Sequence, residues 1–236
     1  MVVIRDEKRI AKLKTRSQRA SLIGFVFLLG GFVAVFINVQ NLVIIQTVAL
    51  LAGFSLSQYG IYLQHRYGRS PRPDEVLDDA IKSVARDGRM YHYVLPAPHV
   101  LLTRSGPIVF VLKYQIGKIS AVGDKWRQTG IGFRRFFGQE GLGNPARDAD
   151  SAIKALASYI REHAPDLDDL SIATMIVFTS KNIGELDVAE SSIPAMHFSK
   201  VKGFMRQKGA GEPLAMSDYE ALLAAFDEAA ANAELL

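Results

Sequence analysis

Phe133-Arg134-Arg135-Phe136-Phe137 is the stretch whose residue types point most directly to chemistry. Guanidinium groups set between aromatic rings can hold a single nucleic-acid strand by charge and stacking. The same pattern can dip into a membrane interface, or the rings can pack beneath a loop. Arg134 and Arg135 are therefore binding candidates. Gly130, Gly132, Gly138, Gly141 and Gly143 crowd this segment. Their spacing matches neither a phosphate loop nor a dinucleotide fingerprint, so a long loop is expected. The five histidines, His65, His92, His99, His163 and His197, lie without metal-ligand spacing. His99 reads first as a structural residue and second as a binding one. The chain has no cysteine, which excludes disulfides, thiolate zinc sites, iron–sulfur clusters and cysteine nucleophiles. Ser105-Gly106 is a turn rather than a nucleophile elbow. The acidic run Asp166–Asp169 reads as solvated. Lys113 closes an apolar strand, where a lysine either snorkels to solvent or contacts a phosphate or other ligand.

These residues sit in a chain dominated by one apolar run. Ala20 to Gln64 contains no Asp, Glu, Lys, Arg or His. As one helix the run would be roughly 68 Å long, against a hydrocarbon core of about 30 Å. Two transmembrane helices are expected, near 20–38 and 42–63, with a turn at Asn38-Val39-Gln40-Asn41. Residues 1–19 carry seven Lys and Arg against Asp6 and Glu7, and His65, Arg66, Arg69 and Arg72 follow the second span. Basic flanks collect on the cytoplasmic side, so both ends are expected there. Ala49, Gly53 and Ser57 recur every four residues, and Gly30 and Ala34 share that spacing. Such stripes let helices approach closely, within the hairpin or in a homo-oligomer. Gln46 and Gln58 alone do not make a conduction path.

The soluble part has the size of one domain. Tyr67–Pro73 reads as a linker, and 74–86 as a helix with Val76, Leu77, Ala80, Ile81 and Val84 on one face. Tyr91–Leu95, His99–Thr103, Ile108–Tyr114 and Ile116–Val122 read as strands, and the second and third, nearly all apolar, as central ones. Trp126 is placed in a polar stretch beyond them. Asn144-Pro145 starts a helix with Ala149, Ile153, Leu156, Ala157 and Ile160 buried. Ile172–Thr179 and Ala195–Phe198 are strands, and Ser199 caps a helix. After a linker at Gly209–Pro213, an acidic amphipathic helix carries Tyr219, Leu222, Leu223, Phe226 and Ala230 on one face. It is expected to dock on the domain or on a partner subunit.

Taken in order, Pro98-His99-Val100-Leu101-Leu102, Ser105-Gly106, Val111-Leu112-Lys113, Gly117-Lys118-Ile119, Trp126, Asn144-Pro145 and Ile176-Val177-Phe178-Thr179 give a pattern over about 75–206. That pattern resembles the nuclease-related domain family (NERD), a branch of the restriction-endonuclease-like fold. The resemblance implies an Asp before the His of the first motif and a Glu two residues before the Lys. Two carboxylates of this kind hold Mg²⁺ through oxygen, and the cation activates water against a phosphate. Here those positions are Pro98 and Val111, and only Lys113 remains. Glu75, Asp78 or Asp79 could bring one carboxylate. Between Arg89 and Gly123 there is no Asp or Glu, so no shift of register restores the pair.

The expected class is α/β: a restriction-endonuclease-like mixed sheet flanked by helices, preceded by an α-helical transmembrane hairpin. The expected parts are a basic cytoplasmic arm (1–19), the hairpin (20–64), a linker (65–73), the nuclease-related domain (74–208), and a linker with the acidic helix (209–236). The expected function is a membrane-anchored cytoplasmic binding or scaffold module without catalysis. It needs no cofactor or metal, and Lys113, His99, Arg134 and Arg135 are its binding candidates. Its expected partners are the lipid bilayer, another protein, a second copy through Ala49, Gly53 and Ser57, or nucleic acid. The alternative is an active DNA-processing nuclease that uses Mg²⁺ on carboxylates such as Glu75 and Glu140.

Overall fold

The structure, a computed structural model, describes residues 1–36, 41–132, 140–167, 170–208 and 211–235. It forms two units, one of them Lys8–Arg72 with Glu140. This unit is a helical hairpin made by α1 (Glu7–Val33) and α2 (Leu42–Leu63). Both helices are long and apolar enough to cross a membrane. Of the segment 1–19 expected as a basic arm, Val2–Arg5 is a strand of the other unit and residues 7–19 are the first half of α1. No helix breaker separates it from the apolar run, so the helix continues through it.

Small side chains let the two helices touch. A Cβ added at Gly24 would meet Ser57 Oγ at 2.6 Å and Gly53 O at 2.8 Å. One at Gly53 would meet Leu28 Cγ at 2.7 Å, and one at Gly31 would meet Ala49 Cβ at 2.8 Å. Ser17 Oγ donates to Gly60 O at 2.9 Å, which satisfies a hydroxyl that would be costly in lipid. Ala49, Gly53 and Ser57 therefore face α1 of their own chain, as packing within the hairpin requires. Their counterparts are Gly24 and Gly31. Gly30 has nothing within 4 Å of its added Cβ. Of the turn expected at 38–41, Asn41 is described, in a left-handed conformation ahead of α2, and the rest lies outside the described residues.

The other unit comprises Met1–Glu7, Pro73–Gly132 and Gly141–Leu236. Its strands are β1 (Val2–Arg5), β2 (Arg89–His92), β3 (His99–Thr103), β4 (Gly106–Lys113), β5 (Gly117–Gly123), β6 (Lys125–Thr129), β7 (Ala173–Phe178), β8 (Ile183–Ser191) and β9 (Ala195–His197). Its helices are α3 (Pro73–Ile81), α4 (Pro145–His163), α5 (Phe198–Lys208) and α6 (Met216–Leu235). The main sheet is mixed, in the order β1-β2-β3-β4-β7-β9, and a second sheet runs β6-β5-β8. β3 and β4 are central, as their continuous apolar runs require. The hairpin between them turns at Gly106, whose φ of 109° suits glycine.

Strand alternation sorts the core into layers. Tyr91, Val100, Leu102 and Val109 face α4 and α6, where Leu156, Ile160, Leu222 and Phe226 close the layer. Met90, Leu101, Phe110 and Val177 face α3 and α5 through Leu77, Ile81 and Val201. Ile176 and Phe178 pack on the second sheet through Ile119, Ala121 and Val188. The acidic helix thus docks on its own domain. Phe226 is fully buried edge-on against Tyr91, ring centroids 5.5 Å apart.

Three elements differ from the sequence reading. Val2–Arg5 pairs in parallel with Arg89–His92 and forms the sheet's first strand. Trp126 lies on β6, opposite Ala121 of β5. Ile183–Ser191 is a strand alongside β5. β6 and β8 are largely polar and half-exposed strands, which is why they lack a strong apolar pattern.

Candidate functional site

Lys113 ends β4. The pleat puts Val109, Val111 and Lys113 on the side that faces α4 and the second sheet. The residue is 6% exposed, so its ammonium needs partners inside the protein. It donates to Leu142 O at 3.0 Å and to Asp148 Oδ2 at 2.6 Å. Asp148 stands in the first turn of α4. Asn144 caps that helix, its Oδ1 accepting from Arg147 N at 3.1 Å, with Pro145 following. A carboxylate there also complements the helix dipole. The Lys113 carbonyl receives Thr179 N at 2.8 Å and Thr179 Oγ1 at 3.3 Å, which fixes the end of β4 against β7.

Amides surround this ion pair. Gln115 Nε2 donates to Gly141 O at 3.2 Å. Gln128 Nε2 donates to Ile116 O at 2.9 Å, while its Oε1 accepts from Leu142 N at 3.1 Å. Gln115 Oε1 and Trp126 Nε1 are buried without a hydrogen-bond partner among the described residues. One carboxylate bound to a lysine gives a neutral pair. Gripping Mg²⁺ takes further oxygen ligands in near-octahedral order. Among the described residues, no group of three or more His, Asp or Glu could hold a metal ion.

His99 belongs elsewhere. It shares the face of Leu101 on β3, which points to α3 and α5, whereas Lys113 points to α4. The two candidates are on opposite faces of the sheet. His99 Nδ1 meets His92 Nδ1 at 2.8 Å, and His92 Nε2 meets Asp78 Oδ1 at 3.0 Å. Arg5 binds Asp74 Oδ2 through Nε at 2.9 Å and Asp78 Oδ2 through its other arm. Asp74 and His92 are fully buried. The His99 and Tyr93 rings also meet in a T-shaped contact, centroids 4.8 Å apart. Arg5, Asp74, Asp78, His92 and His99 thus form one buried chain of polar contacts from β1 through α3 to β3.

The other acidic candidates of the sequence have partners of their own. Glu75 lies on α3, whose buried residues pack on the sheet face away from Lys113, so it is not the carboxylate beside that lysine. Asp78 is committed to Arg5 and His92, and Asp79 pairs with Lys82 at 2.8 Å. Glu140 takes both arms of Arg66, at 2.6 and 2.9 Å. Arg134 and Arg135 lie outside the described residues, as do Asp168 and Asp169 of the acidic run. Asp148 is the residue that sequence reasoning missed. Its signal was position: an acid in the first turn of a capped helix reads as a dipole partner, and nothing local tied it to Lys113. No family model, no curated protein and no solved structure matches this chain.

Proposed function

We propose that this chain is a membrane-anchored, nuclease-like domain that binds a partner without cleaving phosphodiesters. A two-span hairpin holds it to a cell membrane, with both ends in the cytoplasm. Apart from Val2, Val122 and Met216, the large hydrophobic side chains exposed among the described residues all lie on the hairpin. That distribution suits lipid and would be an aggregation hazard in water. β1 precedes the hairpin and β2 follows it, and the two are adjacent strands of one sheet. Strands of one sheet share one side of a bilayer, so an even number of crossings is supported independently of the basic flanks.

The order α3, β2, β3, β4, β5, β6, α4, β7, with β4 parallel to β7, is the support for the resemblance to the nuclease-related family and its restriction-endonuclease-like fold. The absence of catalysis rests on Lys113. Its ammonium is held by Asp148 and the Leu142 carbonyl, and no acid lies on β2, β3, β4 or β5. Asp148 is also the one observation on the side of an active enzyme, because it supplies a carboxylate beside the lysine. Full-length protein in neutral detergent, incubated with labelled DNA and Mg²⁺ or Mn²⁺, decides between them. The expected result is cleavage no greater than that of Lys113→Ala. Cleavage that disappears in both Lys113→Ala and Asp148→Asn would make the domain an enzyme.

A further inference from the structure

We infer that the basic end of the hairpin carries a binding groove for one anionic phospholipid. The inference rests on the membrane reading above and adds a ligand to it. A groove of about 700 Å³ runs between α1 and α2. Lys12, Arg16 and Arg19 line one end, and Ile23, Leu56 and Tyr59 line the other. Lys12 to Arg19 covers roughly 10 Å along the helix. The three cations recur at four and three residues, so they share one face of α1. All three are exposed. No residue lining the groove is acidic, and among the described residues none of the three forms an ion pair.

The polarity changes where a lipid's does. Arg19 is the last charged residue before the uncharged run, and Ile23 and Leu56 lie inside that run. A phosphate group would sit among Lys12, Arg16 and Arg19, with its acyl chains against Ile23 and Leu56. Tyr59 is 42% exposed and suits the boundary, where an aromatic ring meets lipid and its hydroxyl meets the headgroup. A free phosphate would use the cations and leave the apolar half of the groove empty. A zwitterionic lipid would bring its own cation against three others. Charge complementarity together with an apolar floor selects an anionic amphiphile.

The test is native mass spectrometry of the full chain in neutral detergent, titrated with phosphatidylglycerol or phosphatidylcholine. One phosphatidylglycerol is expected to stay bound where phosphatidylcholine does not. Arg16→Gln should weaken its retention about fivefold, the effect expected of one cation at an anionic surface. Lys14→Gln removes the same charge outside the groove and should leave retention unchanged. Equal losses in the two variants, or equal retention of the two lipids, would overturn the groove. So would displacement of the lipid by an equal concentration of inorganic phosphate. Alkaline carbonate extraction of membranes tests the anchor separately. Release of the wild-type chain defeats both readings, whereas a chain that stays in the membrane with matching Arg16→Gln and Lys14→Gln defeats only the groove.

Discussion

Lys113 and Asp148 lose different things when they are parted. Asp148→Ala leaves a buried ammonium with one carbonyl as its partner. The cost should be about 2 kcal/mol, below that of a fully buried pair because the Asp148 side chain is 52% exposed. Lys113→Met removes the buried charge itself and should cost less, so the order of the two unfolding midpoints checks the assignment. Tyr91 gives a pH signature. Its hydroxyl donates to Asp227 Oδ1 at 2.7 Å. Burial, then Asp227, pushes the phenol well above its ordinary value of 10. A raised folded pKa favours the protonated folded state. That stability is complete below about pH 10 and is lost as pH climbs beyond it. Tyr91→Phe should cost about 1.5 kcal/mol at neutral pH and flatten the alkaline fall of the thermal midpoint. Some slope should remain from Tyr159, which is also raised, by burial and then by Glu228 and Glu162.

At the scale of elements, apolar pattern decided what sequence could reveal. β3, β4 and β7 are buried on both faces, and α4 carries a cap, a proline and a buried stripe, so each was legible. α2 was bounded by polar residues and matched closely. β6 and β8 lie in a half-exposed sheet whose strands need little hydrophobicity, so they left little trace. β1 is only four residues long, and its pairing with β2 is a long-range event that local composition cannot carry. The same limit hid Asp148, whose partner is far away in sequence. One deletion and one substitution test the missed and the found elements. Removing residues 2–5 strips Asp74 and Asp78 of Arg5 and exposes the edge of β2. It should destabilise the sheet unit by about 3 kcal/mol or more, read as a fall in unfolding midpoint. Phe226→Ala should cost about 3–5 kcal/mol, because the ring is fully buried between Tyr91 and α4.

The whole molecule joins two kinds of core. In the sheet unit apolar burial from water provides the drive. In the hairpin the two helices meet through small residues, the packing that holds helices together where lipid removes that drive. Gly53→Leu should therefore separate α1 from α2, since even a Cβ there collides with Leu28 and the Gly24 carbonyl. Accelerated proteolysis of the hairpin in detergent, with the Tyr91 signature intact, is the expected outcome. β1 adds a constraint on order during synthesis. Its four residues are made before both apolar helices, yet their hydrogen-bonding partner, Arg89–His92, is made only after them. That segment must wait, without its neighbouring strand, while the two apolar helices are made. The edge of the sheet that is made early is therefore one that the chain can complete only once both helices exist.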